Sequence, residues 1–169
     1  QTRRVFIDSL GEAYDLRSPR VKILIPSMGD SGSQAIAAVF RSAGIHATAL
    51  PPADEEVLRL GRGNTSGKEC LPLLLTLGSL LKYLQERRED NEFLVYFMPT
   101  ASGPCRFGQY SYFIRQMIEQ LGITDVTLFS SHAENSYKDL GGSDFRLKLC
   151  SSAFLSECFA DMHSLIQAN

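Results

Sequence analysis

The hydrophobic residues of this chain fall into short continuous runs separated by stretches with helical spacing. Near-continuous apolar runs at residues 21–26 and 93–98 are typical of strands that are buried on both faces of a sheet. Shorter apolar runs at 46–50 and 125–129 predict two more strands. Apolar positions three and four residues apart predict helices at 34–43, 54–58, 70–88 and 105–121, and a final amphipathic helix whose apolar positions lie between 154 and 166.

The alternation of strands and helices predicts the fold class. A strand, a helix and a second strand within residues 21–50 form a right-handed βαβ unit, which implies a parallel sheet. We therefore expect a three-layer α/β domain with a mainly parallel sheet and helices on both faces. Residues 1–20, with the apolar segment 5–7, are expected to be an N-terminal extension or an edge strand, and residues 21–169 to form the core.

Composition limits the functional classes. The chain has 169 residues, 44% of them hydrophobic, which suits a single domain with a sizeable core. Because it starts without methionine and ends in helix-like sequence without a clear cap, we expect this domain to be excised from a longer chain. The net charge of −2 offers no electrostatic attraction for nucleic acid or an anionic membrane. Because no apolar run reaches the roughly 18 residues of a membrane-spanning helix and no signal-peptide core is present, a cytoplasmic location is expected.

Two of the four cysteines lie in loops rich in glycine and proline. Cys70 and Cys105 each precede a predicted helix, where backbone N–H groups favour a thiolate. Loops beyond the carboxyl ends of parallel strands are where open α/β sheets bind ligands. Since nothing marks the chain as secreted, reduced thiols or metal ligands are expected rather than disulfides. The two loops therefore predict a metal site, and the alternative is a pair of buried structural cysteines.

Polar residues beside the two cysteines are candidates for holding a cofactor. Lys68, Arg62 and Arg106 flank the thiols and would offset the negative charge of a metal centre or steer an acidic electron donor; solvated loop charges are the alternative. Gln109 and Tyr110 would donate hydrogen bonds to the metal ligands, or simply pack. We predict Cys70 and Cys105 as metal ligands, and Lys68, Arg106, Gln109 and Tyr110 as cofactor-binding residues.

The other two cysteines and the loop after the first buried strand have less specific roles. Cys158 shares the apolar stripe of the final helix and is expected to pack in the core. Cys150 is a weaker ligand candidate, because no glycine-rich loop presents it. In the loop that follows residue 26, Ser31 or Ser33 is expected to cap the next helix.

Three segments resemble a known family. Residues 61–62, 67–72 and, above all, 99–110 are similar to the 2-hydroxyacyl-CoA dehydratase and CoA-substrate-specific enzyme activase-related proteins. The match is to the domain of unknown function found in long, fused activases of anaerobic bacteria, and it covers roughly residues 20–145. The most specific part is the octapeptide Gly-Pro-Cys-Arg-Phe-Gly-Gln-Tyr at 103–110.

The resemblance implies both a fold and a function. It implies a Rossmann- or flavodoxin-like fold, as in dehydratase subunits, which bind [4Fe–4S] clusters through three cysteines. It also implies an electron-transfer role, with an ATP-hydrolysing activase domain and a dehydratase-like domain or subunit as partners, in the same chain or another. Cys70 and Cys105 match by motif, and a third ligand would come from Cys150, from a segment outside this chain or from another subunit. The rival hypothesis is a metal-free docking module that retains the dehydratase fold; in neither case do we expect catalysis by this domain alone.

Overall fold

The computed structural model describes residues 5–27, 29–86, 88–89, 91–101, 103–131 and 142–168. Its strands are β1 (Val5–Ile7), β2 (Ala13–Asp15), β3 (Val21–Ile25), β4 (Ala47–Ala49), β5 (Phe93–Phe97) and β6 (Val126–Phe129). Its helices are α1 (Asp30–Ser42), α2 (Glu55–Gly63), α3 (Leu71–Glu86), α4 (Tyr110–Gln120) and α5 (Ser143–Gln167), and a short 3₁₀ helix, Arg106–Gln109, directly precedes α4. None of the described helices combines the length and the apolar character needed to cross a membrane.

Four parallel strands form the main sheet in the order β4-β3-β5-β6. In the register of the sheet, Ile23 of the central strand β3 pairs with Ala47 on one side and Val95 on the other. Strands β3 and β5 consist largely of β-branched, leucine and aromatic residues, which favour buried strands, and β5 is buried at every position. The prediction of a mainly parallel sheet is confirmed, with strands up to two residues shorter than the apolar runs.

Helices pack on both faces of this sheet. On one face, Phe40 of α1 lies between Phe97 of β5 and Phe145 of α5, with ring centroids 5.5 and 5.3 Å apart. On the other face, Tyr96 packs among residues of α3 and α4, and its hydroxyl donates to the Thr76 carbonyl at 2.6 Å. The predicted three-layer arrangement is therefore confirmed. Successive side chains of β5 point to opposite faces of the sheet. One set packs in the layer of α1 and α5, and the other set packs in the layer of α3 and α4.

The first described residues form an antiparallel hairpin of β1 and β2, which is not an edge strand of the main sheet. Phe6 and Tyr14 pack their rings on Phe93, with centroids 5.8 and 6.5 Å apart, so the hairpin covers the start of β5. Asp8 holds the turn, because its carboxylate accepts the backbone N–H of Leu10 at 2.9 Å. The apolar segment 5–7 therefore forms a strand, but not an edge strand of the main sheet.

Helix α1 begins at Asp30, earlier than predicted, and neither Ser31 nor Ser33 caps it. Gly29 occupies the cap position with a φ of 119°, a conformation that glycine adopts at no steric cost. The Ser33 hydroxyl lies inside the helix and donates to the carbonyls of Pro26 and Gly29, at 3.1 and 3.0 Å. The predicted serine cap is therefore wrong, because this hydroxyl ties the helix back to the end of β3.

Helices α2 and α3 approach each other through two glycines. A Cβ atom on Gly61 would lie 2.1 Å from the carbonyl oxygen of Leu74, and one on Gly78 would lie 2.0 Å from that of Val57. Such distances leave no room for a side chain, so the two backbones are in direct contact. Gly61 therefore belongs to α2, which extends beyond the predicted end at residue 58 and ends at Gly63.

Helix α5 confirms the predicted final helix, but its apolar stripe is outside the core. It runs antiparallel to α1: Phe145 packs near the end of α1, while the Ser156 hydroxyl lies 3.4 Å from the position of a Cβ on Gly32. Every residue from 157 to 168 is exposed, Cys158 among them, so the expectation that Cys158 packs in the core is wrong. Amphipathic spacing shows that a helix has an apolar side, and not that a neighbour covers it.

The glycine contact between α2 and α3 provides a test of the fold. Gly78→Ala should lower the free energy of unfolding by about 2 kcal/mol or more, because the added methyl group collides with backbone that cannot rotate away. Gly63→Ala is the matched control: an added Cβ in the last turn of α2 meets nothing within 4 Å, so the change should be neutral or stabilising by up to about 1 kcal/mol. Urea denaturation followed by circular dichroism measures both values. Equal stability of the two variants would contradict the contact.

Candidate metal centre

The loops that carry Cys70 and Cys105 lie at the carboxyl edge of the sheet. The Cys105 loop follows β5, and Cys70 precedes α3, whose N-terminus lies at this edge because α3 returns the chain to the start of β5. The two loops are in contact, since the Arg106 guanidinium donates to the Lys68 carbonyl across 3.4 Å. Segments that are distant in the sequence are thereby brought to one place.

Cys70 is positioned by the first turn of α3. Its carbonyl accepts the backbone N–H groups of Leu73 and Leu74 at 3.0 and 3.4 Å, which starts the helix. Its half-buried side chain packs against the α3–α4 layer. There the Sγ atom lies 2.7 Å from the hydroxyl oxygen of Tyr110, so a sulfur–oxygen hydrogen bond links the two cysteine-containing segments.

Cys105 caps the 3₁₀ helix that leads into α4. Its sulfur accepts the backbone N–H of Phe107 at 3.5 Å, and its side chain is exposed. Two glycines allow this turn: Gly103 has a φ of 130°, and a Cβ on Gly108 would lie 2.6 Å from the Ala101 carbonyl oxygen. The sulfur therefore lies at the start of a helix, as the sequence predicts, and is open to solvent.

Tyr110, the first residue of α4, is buried and contacts the Cys70 sulfur. It is 5% exposed, and its ring packs edge-on against Phe107 with centroids 5.3 Å apart. Burial raises the pKa of its phenol well above the ordinary value, and the hydrogen bond to Cys70 and the negative charges of Cys70 and Cys105 raise that pKa further. The phenol therefore stays protonated, and its hydroxyl remains available for the hydrogen bond with the Cys70 sulfur.

The four predicted cofactor-binding residues are placed unequally around the sulfurs. Tyr110 contacts a sulfur directly. Arg106 contacts the backbone of Lys68, and the side chains of both residues are exposed. Gln109 is exposed and precedes α4 without making a side-chain cap hydrogen bond. Of these four residues, Tyr110 therefore has the direct contact that the prediction requires.

Glu69 holds the Cys70 loop in shape, a role that the sequence analysis missed. Its carboxylate accepts the Ser66 hydroxyl at 2.8 Å and the Lys68 backbone N–H at 3.0 Å. The hydrogen bond from Ser66, followed by bonds from the backbone, holds the pKa of the Glu69 carboxyl below its ordinary value. The Ser-x-x-Glu spacing, known from helix capping boxes, is the signal that could have identified this contact.

The two predicted ligands among the described residues at this edge, Cys70 and Cys105, do not make a complete ligand set. Within the described ranges, no group of three or more His, Cys, Asp or Glu side chains gathers in a geometry that could hold a metal ion. Cys150 lies on α5, in the layer on the opposite face of the sheet from Cys70, so the structure does not bring it to this site. A thiol hydrogen-bonded with a hydroxyl, and a second thiol on the neighbouring loop, are the kinds of group that hold an iron–sulfur cluster. The remaining positions would have to be filled from elsewhere.

The loop after β3 also reaches the carboxyl edge, and α5 lies against it. Cβ atoms on Gly29 and Gly32 would lie 3.8 and 3.7 Å from Oε1 of Glu157. A carboxylate beside the first turn of α1 is favourable, because the N-terminus of a helix carries partial positive charge. The sequence analysis assigned no role to Glu157, since no local pattern connects it with α1.

Comparisons with protein-family models, with curated proteins and with solved structures found no match to this chain. The resemblance of residues 99–110 to the dehydratase and activase-related proteins therefore stays a prediction from the sequence. The geometry of the Cys70 and Cys105 loops is the structural observation on which a function can rest.

The buried phenol of Tyr110 predicts a loss of stability at alkaline pH. In the unfolded chain this tyrosine ionises near its ordinary pKa of 10.0, whereas in the folded protein it stays protonated. The unfolded state therefore binds fewer protons as the pH rises above about 10, and the free energy of unfolding falls by up to about 1.4 kcal/mol per pH unit for this group. Tyr110→Phe should make that fall less steep.

Urea denaturation over a series of alkaline pH values measures the slope. Tyr112→Phe is the matched control, because Tyr112 lies on the same helix, is 64% exposed and should leave the slope unchanged. Tyr96, which is buried in all three proteins, contributes equally and cancels in the comparison. A slope in Tyr110→Phe as steep as that of the unsubstituted protein would contradict the buried position of Tyr110.

Proposed function

We propose that this protein is the iron–sulfur-cluster-carrying, electron-transfer domain of a 2-hydroxyacyl-CoA dehydratase activase-like protein. The observation that supports the proposal is the meeting of two cysteine loops at the carboxyl edge of the sheet, where Arg106 contacts Lys68 and Tyr110 contacts the Cys70 sulfur. By the resemblance, the cluster would be [4Fe–4S], with Cys70 and Cys105 as two of its ligands.

The residues around the sulfurs suit a metal-bound thiolate. Iron–sulfur clusters are held by thiolates, and hydrogen bonds to the sulfurs tune their potential. Tyr110 supplies one such bond, since its phenol is held protonated beside Cys70. Arg106 and Lys68 place positive charge at the exposed side of the site, which would offset the charge of the cluster or attract an acidic electron donor. When bound, the cluster supplies one-electron transfer at low potential.

Substrate chemistry is assigned to other parts of the system. An ATP-hydrolysing activase domain would deliver the electron, and a dehydratase-like domain or subunit would use it, in the same chain or another. Three of the four cysteines are exposed and none forms a disulfide, which suits a reducing compartment. The proposal therefore places the protein in the cytoplasm.

A second candidate function is a metal-free docking module that retains the dehydratase fold. The observation that favours it is the exposed apolar side of α5. Contiguous exposed apolar surface often marks a site of interaction with another molecule. Iron content separates the two candidates, because a docking module would contain no iron.

Iron analysis of the protein purified anaerobically from its native host, with any chain that completes the ligand set, tests the proposal. The preparation should be brown and contain iron, and Cys105→Ser should lose most of that iron. The fold should stay intact, because the Cys105 side chain is exposed and its loss removes no core contact. Cys158→Ser is the matched control, an equally exposed cysteine on α5 that should keep the iron. Equal iron in Cys105→Ser and the unsubstituted protein, or none in either, would sink the proposal.

The Tyr110 hydroxyl provides a test that does not depend on losing the cluster. Tyr110→Phe keeps the ring that packs on Phe107 and removes the hydrogen bond to the Cys70 sulfur. Because a hydrogen bond to a cluster sulfur stabilises the more negative, reduced state, the variant should keep its iron and have a more negative reduction potential. An anaerobic redox titration measures the potential, with Tyr112→Phe as control. No difference between the two variants would rule out a role for the hydroxyl.

A further inference from the structure

The outer part of helix α5, residues 154–167, is an arm whose large apolar side chains are exposed. It is about 20 Å long at the rise of an α-helix. Six large apolar side chains on it are 49–76% exposed: Phe154, Leu155, Phe159, Met162, Leu165 and Ile166. A contiguous apolar surface of this kind on a folded protein marks a contact with another molecule.

The arm projects from the body of the protein. Helix α5 runs antiparallel to α1, and its side chains last approach α1 at Ser156 and Glu157, beside Gly29 and Gly32 at the start of α1. All described residues after this point, up to 168, are exposed. Residues 158–167 therefore extend past the N-terminus of α1, where a second molecule can reach their apolar side.

The apolar residues of the arm have the spacing of a helix–helix seam. The seam consists of four residues, Leu155, Cys158, Met162 and Leu165. Separations of three, four and three residues place apolar side chains in one line along a helix, which packs against a second helix of the same kind. Phe159 and Ile166 lie beside the seam, on one side of it.

The charge and symmetry of the arm favour a second copy of the same helix as its partner. The arm contains no Lys or Arg, which disfavours an anionic membrane surface or nucleic acid. The seam itself is uncharged. In an antiparallel alignment, Leu155 of one copy lies opposite Leu165 of the other, and Cys158 lies opposite Met162. Each copy then contributes the same residues to the contact, as a two-fold symmetric interface requires.

The exposed apolar area of the arm is large enough for a specific contact. Large aromatic side chains bury on the order of 150–250 Å² each when they are fully covered. Because the six side chains are about half to three quarters exposed, two paired arms would remove roughly 1,000 Å² from water, close to the lower limit of about 1,200 Å² for stable interfaces. A contact of this size is at the lower end of the range for specific interfaces.

We propose that the α5 arm is a self-association surface through which two copies of this chain pair as antiparallel helices. The contact uses apolar side chains and no metal. It therefore forms whether or not Cys70 and Cys105 bind a cluster, and it goes beyond the electron-transfer function proposed above.

Sedimentation equilibrium of the chain at micromolar concentrations, with a chelator and a thiol reductant present, tests the pairing. The unsubstituted chain should have the mass of a dimer. Leu165→Glu should weaken the dimer at least about a hundredfold, because each copy would bury an unpaired carboxylate at the seam. Leu10→Glu is the matched control, the same substitution at a leucine 82% exposed on the β1–β2 hairpin, and should stay dimeric.

Circular dichroism shows whether Leu165→Glu keeps its helices, as expected for a residue that is 65% exposed in the single copy. If that variant unfolds, Met162→Glu takes its place at the seam. A monomeric unsubstituted chain at these concentrations, or a dimer that survives a folded seam variant, overturns the proposal.

Discussion

The burial of β5 on both faces is the constraint on which most of this structure depends. Phe93, Val95 and Phe97 point into the α1–α5 layer, and Leu94 and Tyr96 point into the α3–α4 layer. A strand buried this completely needs a hydrogen-bonded neighbour on each side, because an unpaired buried backbone group costs free energy. Strands β3 and β6 supply those neighbours. Packing around one strand thus fixes both the sheet order and the point at which the following loop leaves the sheet.

The two sulfurs are placed by different physical means. Cys70 depends on helix packing, because the contact of α2 and α3 at Gly61 and Gly78 fixes the position of the helix that Cys70 begins. Cys105 depends on a turn in which the backbone of Gly108 packs closely against the carbonyl of Ala101, shortly after β5. Tyr110, the first residue of α4, contacts the Cys70 sulfur. A site that is anchored to three helices and a strand keeps its geometry better than one built on loops alone.

Features with a local signal could be predicted from the sequence, and features that depend on distant contacts could not. The apolar run at 93–98 directly indicates a buried strand, and the glycine-rich loop at Cys105 indicates the start of a helix. No local pattern shows that the Leu74 carbonyl will lie against Gly61, which is why α2 is longer than predicted. The apolar stripe around Cys158 was correctly assigned to a helix but wrongly to the core, because spacing cannot show whether a neighbour is present.

Glu157 places negative charge beside the first turn of α1. In many α/β proteins, the N-terminus of a helix that follows a strand binds phosphate, using its free N–H groups and its positive end. Here a phosphate that approached this turn would be repelled by a carboxylate belonging to the protein itself. With α5 packed against α1 at Ser156, this turn is therefore a poor site for a phosphate group.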